Sequence, residues 1–187
     1  MRFAAVIDGT IGSAVGQARV LAGFLEEGLH TGAAGGPPGR PRAGLQGETL
    51  VFYDDDRERD RLVELAPTAA VRLVRAPARR PDLIAAALAA PRAEERPDLF
   101  LFADGPSGTE IAARLARRAG GSVLTGALDV TLEAGRLLGR RQVYSNHMAG
   151  RFALTARPWC VAVDPSWAEL RAPDRKSTRL NSSHRIR

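Results

Sequence analysis

The residues whose types and spacing could serve chemistry lie together in the segment Asp104-Gly-Pro-Ser107-Gly108-Thr109-Glu110. A Gly-bearing turn between an apolar run and an amphipathic helix offers free backbone N–H groups and the positive end of the helix dipole. Such a turn can cradle a phosphate, which makes Ser107, Gly108 and Thr109 the candidate cofactor-binding residues. The same residues admit a plainer use: Ser107 caps the helix, and Glu110, three positions on, completes a capping box. The cap is the favoured reading, because the turn is neither a Walker loop nor a complete Gly-x-Gly-x-x-Gly. A nucleophile elbow requires Gly-x-Ser-x-Gly, whereas here the second glycine follows Ser107 directly, so a serine hydrolase finds little support.

Other reactive side chains are scattered. His30, His147 and His184 have no paired spacing and no cysteine partner, which gives a zinc site little support. Asp54, Asp55 and Asp56 follow an apolar run and could suggest a divalent cation, but an Asp-rich turn that caps the next helix is the stronger reading. Cys160 stands in Trp-Cys-Val-Ala-Val, the setting of a small buried hydrophobe rather than of a thiolate nucleophile. No catalytic residue and no metal ligand is assigned.

The elements that must position these residues alternate along the chain. Residues 3–8 form a short apolar run suited to a buried strand, and Val15 to Leu29 has helical spacing. Thr31 to Gly47 is too rich in Gly and Pro for either element and reads as a surface loop. Strands are expected at Thr49–Tyr53, Val71–Val74, Leu99–Ala103 and Ser122–Leu124. Helices are expected at Arg57–Leu65, from Pro81 to Ala90 and at Ser107–Arg118. This order predicts an α/β domain with a mostly parallel sheet and helices on both faces. Leu128–Leu132, Gly135–Tyr144, Arg151–Ala156 and Trp159–Val163 are strand-like, with a turn at Ala134-Gly135. They predict an antiparallel strand extension at the C-terminal end.

Composition allows one domain with a proper core: 187 residues, 44% hydrophobic. The net charge of +6 would suggest a nucleic acid or an anionic membrane, but its distribution argues against both. Residues 171–187 hold six basic side chains against Asp174, a net of +5, which leaves about +1 for residues 1–170. That tail contains the chain's one lysine, Lys176, and has no apolar periodicity, so disorder is expected there. Its wording resembles translated sequencing-adapter read-through more than a basic arm. MRFAAVIDGT places Asp8 too early for a secretory apolar run, and no stretch approaches the roughly 18–20 apolar residues of a membrane span. A lone cysteine cannot make an internal disulfide. A soluble cytoplasmic protein is the expectation.

The segment PDLFLFADGPSGTEIAARLARRAGGSVLTGALDV resembles the N-terminal domain of the electron transfer flavoprotein alpha subunit, including its nitrogen-fixation-associated relatives. Glu110, Ile111, Ala112, Arg114, Leu115 and Ala116 match that family's helix. Gly120, Gly121 and Thr125 match the turn and strand that follow, Arg141 and Tyr144 a later basic and aromatic pair, and Arg157-Pro158 the entry to a final strand. Tyr144-Ser145-Asn146 is one residue tighter than the family's Tyr-x-x-Asn, and Gly126 stands where the family often has Asp. The resemblance spans about residues 1–170 and is strongest from 97 to 163. It implies a heterodimeric flavoprotein that passes electrons from dehydrogenases to an acceptor through FAD. It also implies that FAD is held mainly by a C-terminal domain whose Ser-Gly-x-x-x-Gln-His motif has no counterpart here. The expected role is therefore a scaffold docking on the beta subunit, an electron carrier rather than an enzyme and without FAD of its own. The alternative is a stand-alone adenine-nucleotide-binding module using the turn from Asp104 to Thr109.

Overall fold

The computed structural model describes residues 1–9, 11–31, 45–77 and 80–167. In chain order the elements are β1 (Arg2–Ile7), α1 (Ile11–Gly23), a π-helical turn (Phe24–Gly28), β2 (Leu29–Thr31), β3 (Gln46–Tyr53), α2 (Asp56–Glu64) and β4 (Ala70–Arg75). They continue with α3 (Pro81–Ala89), β5 (Leu99–Ala103), α4 (Pro106–Ala119), β6 (Ser122–Glu133), β7 (Arg136–Val143), β8 (Met148–Leu154) and β9 (Trp159–Val163). The strands form one sheet in the order β4-β3-β1-β5-β9-β6-β7-β8, and β2 pairs with the far half of β6. From β4 to β6 neighbours run parallel, whereas β7 and β8 are antiparallel. This is the α/β fold with the antiparallel extension that the sequence predicts.

Helices cover both faces, so the central strands can be apolar on both sides. Side chains alternate across the pleat. Ala5, Ile7, Leu99, Leu101, Val161 and Val163 meet Ala14, Ala18, Leu21 and Leu62 of α1 and α2. Ala4, Val6, Phe100, Phe102, Cys160 and Ala162 meet Ile84, Leu88, Ile111 and Leu115 of α3 and α4. Proline opens α3 and α4, where its missing N–H costs no hydrogen bond, and Gly120 closes α4 in the left-handed conformation.

Three sequence expectations are corrected. The first helix starts at Ile11 and gives way at Phe24 to the π turn, so Leu29 opens β2 rather than ending a helix. The physical reason is the length of β6: β9 covers its first half, up to Ala127, and β2 takes the free edge from Val130 to Leu132. The strands expected at 122–124 and 128–132 are one strand interrupted by a bulge, with Gly126 at φ 63. Trp159–Val163 does not belong to the antiparallel extension. It lies in the parallel core between β5 and β6, fully buried, as its unbroken apolar run requires.

The turn at Ala134-Gly135 is present, both residues at positive φ as a two-residue hairpin demands. The expected loop is bounded by β2 and β3, and its residues 32–44 lie outside the described part, as does the whole segment 171–187. Among the described residues no helix is long and apolar enough to cross a membrane.

Candidate functional site

Strand order locates the crevice where this kind of sheet binds ligands. After β1 the chain builds outward through β3 and β4, then returns to place β5 on the other side of β1. Ligands of open α/β sheets sit at such a reversal, beyond the carboxyl ends of the strands. Here those ends carry acids: Asp8 follows β1, Asp104 follows β5, and Asp164 follows β9.

Asp8 is buried, and its backbone is bracketed by one side chain: its N–H donates to Gln17 Oε1 (2.9 Å), and Gln17 Nε2 donates to its carbonyl (2.8 Å). Its carboxylate crosses the reversal, with Ser107 Oγ donating to Asp8 Oδ2 at 2.5 Å. At the same turn Thr109 Oγ1 donates to Asp104 Oδ1, which also accepts from the Gly105 N–H at 3.1 Å. Gly108 is a packing residue. A Cβ there would lie 2.0 Å from the carbonyl oxygen of Ala103, so its absence lets α4 press onto β5.

The capping box expected at Ser107 does not form. Gly105 is the N-cap residue and makes no side-chain cap, Ser107 lies inside the first turn, and Glu110 turns to Arg114 (2.6 Å) one helical turn on. Proline explains the shift: with Pro106 at N1 the helix begins one residue earlier, and Ser107 is free to reach across to β1.

Ser107, Gly108 and Thr109 are thus brought together with Asp104, which sequence reasoning named only as the start of the turn, and with Asp8, which it left out. The signal for both was visible as an Asp-Gly pair directly after a buried strand, at 8–9 and again at 104–105. Both hydroxyls of the turn are already engaged. The hydroxyls that could bind a phosphate serve carboxylates, and an arriving phosphate would meet negative charge at the helix end that should attract it. As arranged, the hydroxyls of Ser107 and Thr109 are not free for the pyrophosphate of FAD.

The remaining candidates separate. Asp55 caps α2 by accepting from the Arg57 N–H (2.8 Å), and Asp56 pairs with Arg75 (3.3 Å). Among the described residues no three His, Cys, Asp or Glu side chains converge on a metal position. Cys160 is buried and unpaired, and burial pushes its thiol up to about 12, so it is a thiol and not a thiolate at neutral pH. Arg141 donates to Thr125 Oγ1 (3.2 Å), beside the bulge whose Gly126 faces Asp104.

Sheet order, helices on both faces and a crevice at the strand reversal define a doubly wound α/β domain. Within that class, the electron transfer flavoprotein domain matches residues 62–182, more than half of the chain. The chain belongs to this family. No curated protein matches it significantly.

Proposed function

We propose that the chain is the N-terminal domain of an electron transfer flavoprotein alpha subunit. In this reading it acts as a scaffold that docks on the beta subunit, in the cytoplasm, within a complex that carries electrons from a dehydrogenase to an acceptor. FAD belongs to the complete protein and is held outside this domain. Family membership supports the electron-carrying role. The observation that carries the scaffold reading is the double engagement of Ser107 by Asp8 and of Thr109 by Asp104. It engages both hydroxyls with the protein's own carboxylates, which supports a structural role for Ser107, Gly108 and Thr109.

The experiment is purification of the chain alone and together with the beta subunit. The scaffold reading expects no flavin absorbance and no saturable AMP or ATP binding by the chain alone, and a stable complex with the beta subunit. A second reading, an adenine-nucleotide module, draws on the position of the turn at the strand reversal. Saturable AMP binding by the chain alone, displaced by ATP, would establish it instead.

A further inference from the structure

Three of the described arginines are half-buried, Arg96, Arg140 and Arg141, and they are compensated unequally. Arg140 pairs with Asp129 at 2.6 Å. Arg96 donates from Nε to the carbonyl of Pro91 at 3.0 Å. Arg141 reaches the hydroxyl of Thr125 at 3.2 Å and, over 3.4 Å, the carbonyl of Gln142, with no carboxylate in ion-pair range among the described residues. Asp129 does not serve both neighbours, because successive side chains of β7 leave opposite faces of the sheet. A guanidinium drawn partly out of water without a counter-charge is costly.

Arg141 stands where β6 is irregular on both edges. It is in register with Ala127, and the pairing of β6 shifts on the β9 side between Leu124 and Ala127 and on the β7 side between Ala127 and Asp129. Gly126 lies inside the first shift at φ 63. Apart from the adjoining residues, a Cβ there would have one described neighbour within 4 Å, Asp104 Oδ2 at 3.7 Å, so a gap separates the bulge from Asp104. Thr125, the residue before Gly126, accepts from Arg141 and therefore keeps its own hydroxyl proton to give. Guanidinium N–H groups and this hydroxyl thus border an open gap as donors with no acceptor among the described residues.

We infer that Arg141 and Thr125 form a binding site for a carboxylate at the β6 bulge, with the guanidinium fork on its two oxygens and the Thr125 hydroxyl donating to one of them. An arginine matches a planar carboxylate bidentately. The single charge matters: Asp104 stands across the gap, and a doubly charged phosphate would meet more repulsion there than a carboxylate does. The site uses neither hydroxyl of the turn at Ser107 and Thr109, which are engaged, and it does not depend on the docking reading. The same group has two sources: an acid of the chain's own residues 168–187, Glu169 or Asp174, or a small carboxylate from solution.

The test titrates the full chain with acetate in chloride-free buffer and follows the backbone amides and the Arg141 Nε–H by NMR. Saturable shifts centred on Thr125, Gly126 and Arg141, with the β4 amides unmoved, are expected, and this readout needs no variant to fold. Arg141→Gln should abolish saturation, Arg141→Lys should weaken binding about tenfold through loss of the fork, and Thr125→Val should weaken it about fivefold. Gly126→Asp sets a second acid in the gap and should abolish binding as well, Asp being among the few side chains tolerated in the left-handed region. Inorganic phosphate should bind more weakly than acetate. Saturation in the wild type marks a site open to solution, and saturation only after Glu169→Gln with Asp174→Asn marks a site held by the chain's own acid. Tighter binding of phosphate than of acetate overturns the carboxylate assignment. Shifts that stay linear in both chains, or that Arg141→Gln leaves unchanged, overturn the site.

Discussion

Ser107 and Asp8, separated by 99 positions, share a hydrogen bond of 2.5 Å that ties the first turn of α4 to the end of β1. It joins the two sides of the strand reversal. A charge-assisted hydrogen bond at a buried site is costly to leave half-made, because the remaining carboxylate stays out of water without its partner.

Ser107→Ala should therefore lower stability by about 1–3 kcal/mol in urea unfolding. Asp8→Asn, which keeps an acceptor for Ser107, should cost less than Asp8→Ala. A double-mutant cycle between positions 8 and 107 should show coupling, and additive effects would mean that the bond contributes nothing.

Gly108→Ala places a methyl group against the Ala103 carbonyl oxygen, and backbone cannot yield as a flexible side chain can. The expected loss is about 1–3 kcal/mol from overpacking. The urea midpoint should fall, and α4 amides should exchange faster than those of β1.

Cys160 gives a pH dependence of known sign. The unfolded thiol titrates near about 8.5, and the folded one is pushed up to about 12 by burial. Between these values the unfolded chain has lost the proton that the folded chain keeps, so unfolding becomes easier as pH rises. The contribution is fully present below the unfolded value and falls away towards pH 12. Native protein should resist aromatic disulfide reagents at pH 8 and react on addition of denaturant. Cys160→Ala should flatten the alkaline slope of the urea midpoint.

Asp55→Ala removes the cap of α2, with an expected cost of about 1 kcal/mol. Exchange of the Arg57 amide should speed up, while the distant α4 should be unaffected. An unchanged Arg57 rate would show that the cap is not maintained in solution.

How much could be read in advance depends on how local its cause is. Leu99–Ala103 and Trp159–Val163 announce themselves by unbroken apolarity, and Asp55 by its place before a helix. The single strand β6 was hidden because Gly126 reads as a break, while the sheet uses it as a bulge between Leu124 and Ala127. The π turn and β2 answer to a free edge on β6 that no local pattern encodes. The site divides the same way. The turn from Asp104 to Thr109 is legible, but the partner of Ser107 comes from the other end of the domain, and its tie to Asp8 follows from strand order alone.

The insertion of β9 between β5 and β6 has a consequence for how the molecule is made. Along the chain, β5, α4, β6 and the β7–β8 hairpin all precede the strand that fills the gap at the sheet's centre. During synthesis β5 and β6 therefore cannot join until residues 159–163 have left the ribosome, and two apolar strand edges wait uncovered in the meantime. Pairing over such separations is slow and exposed to aggregation. Among the described residues the last strand made is the one that closes the sheet.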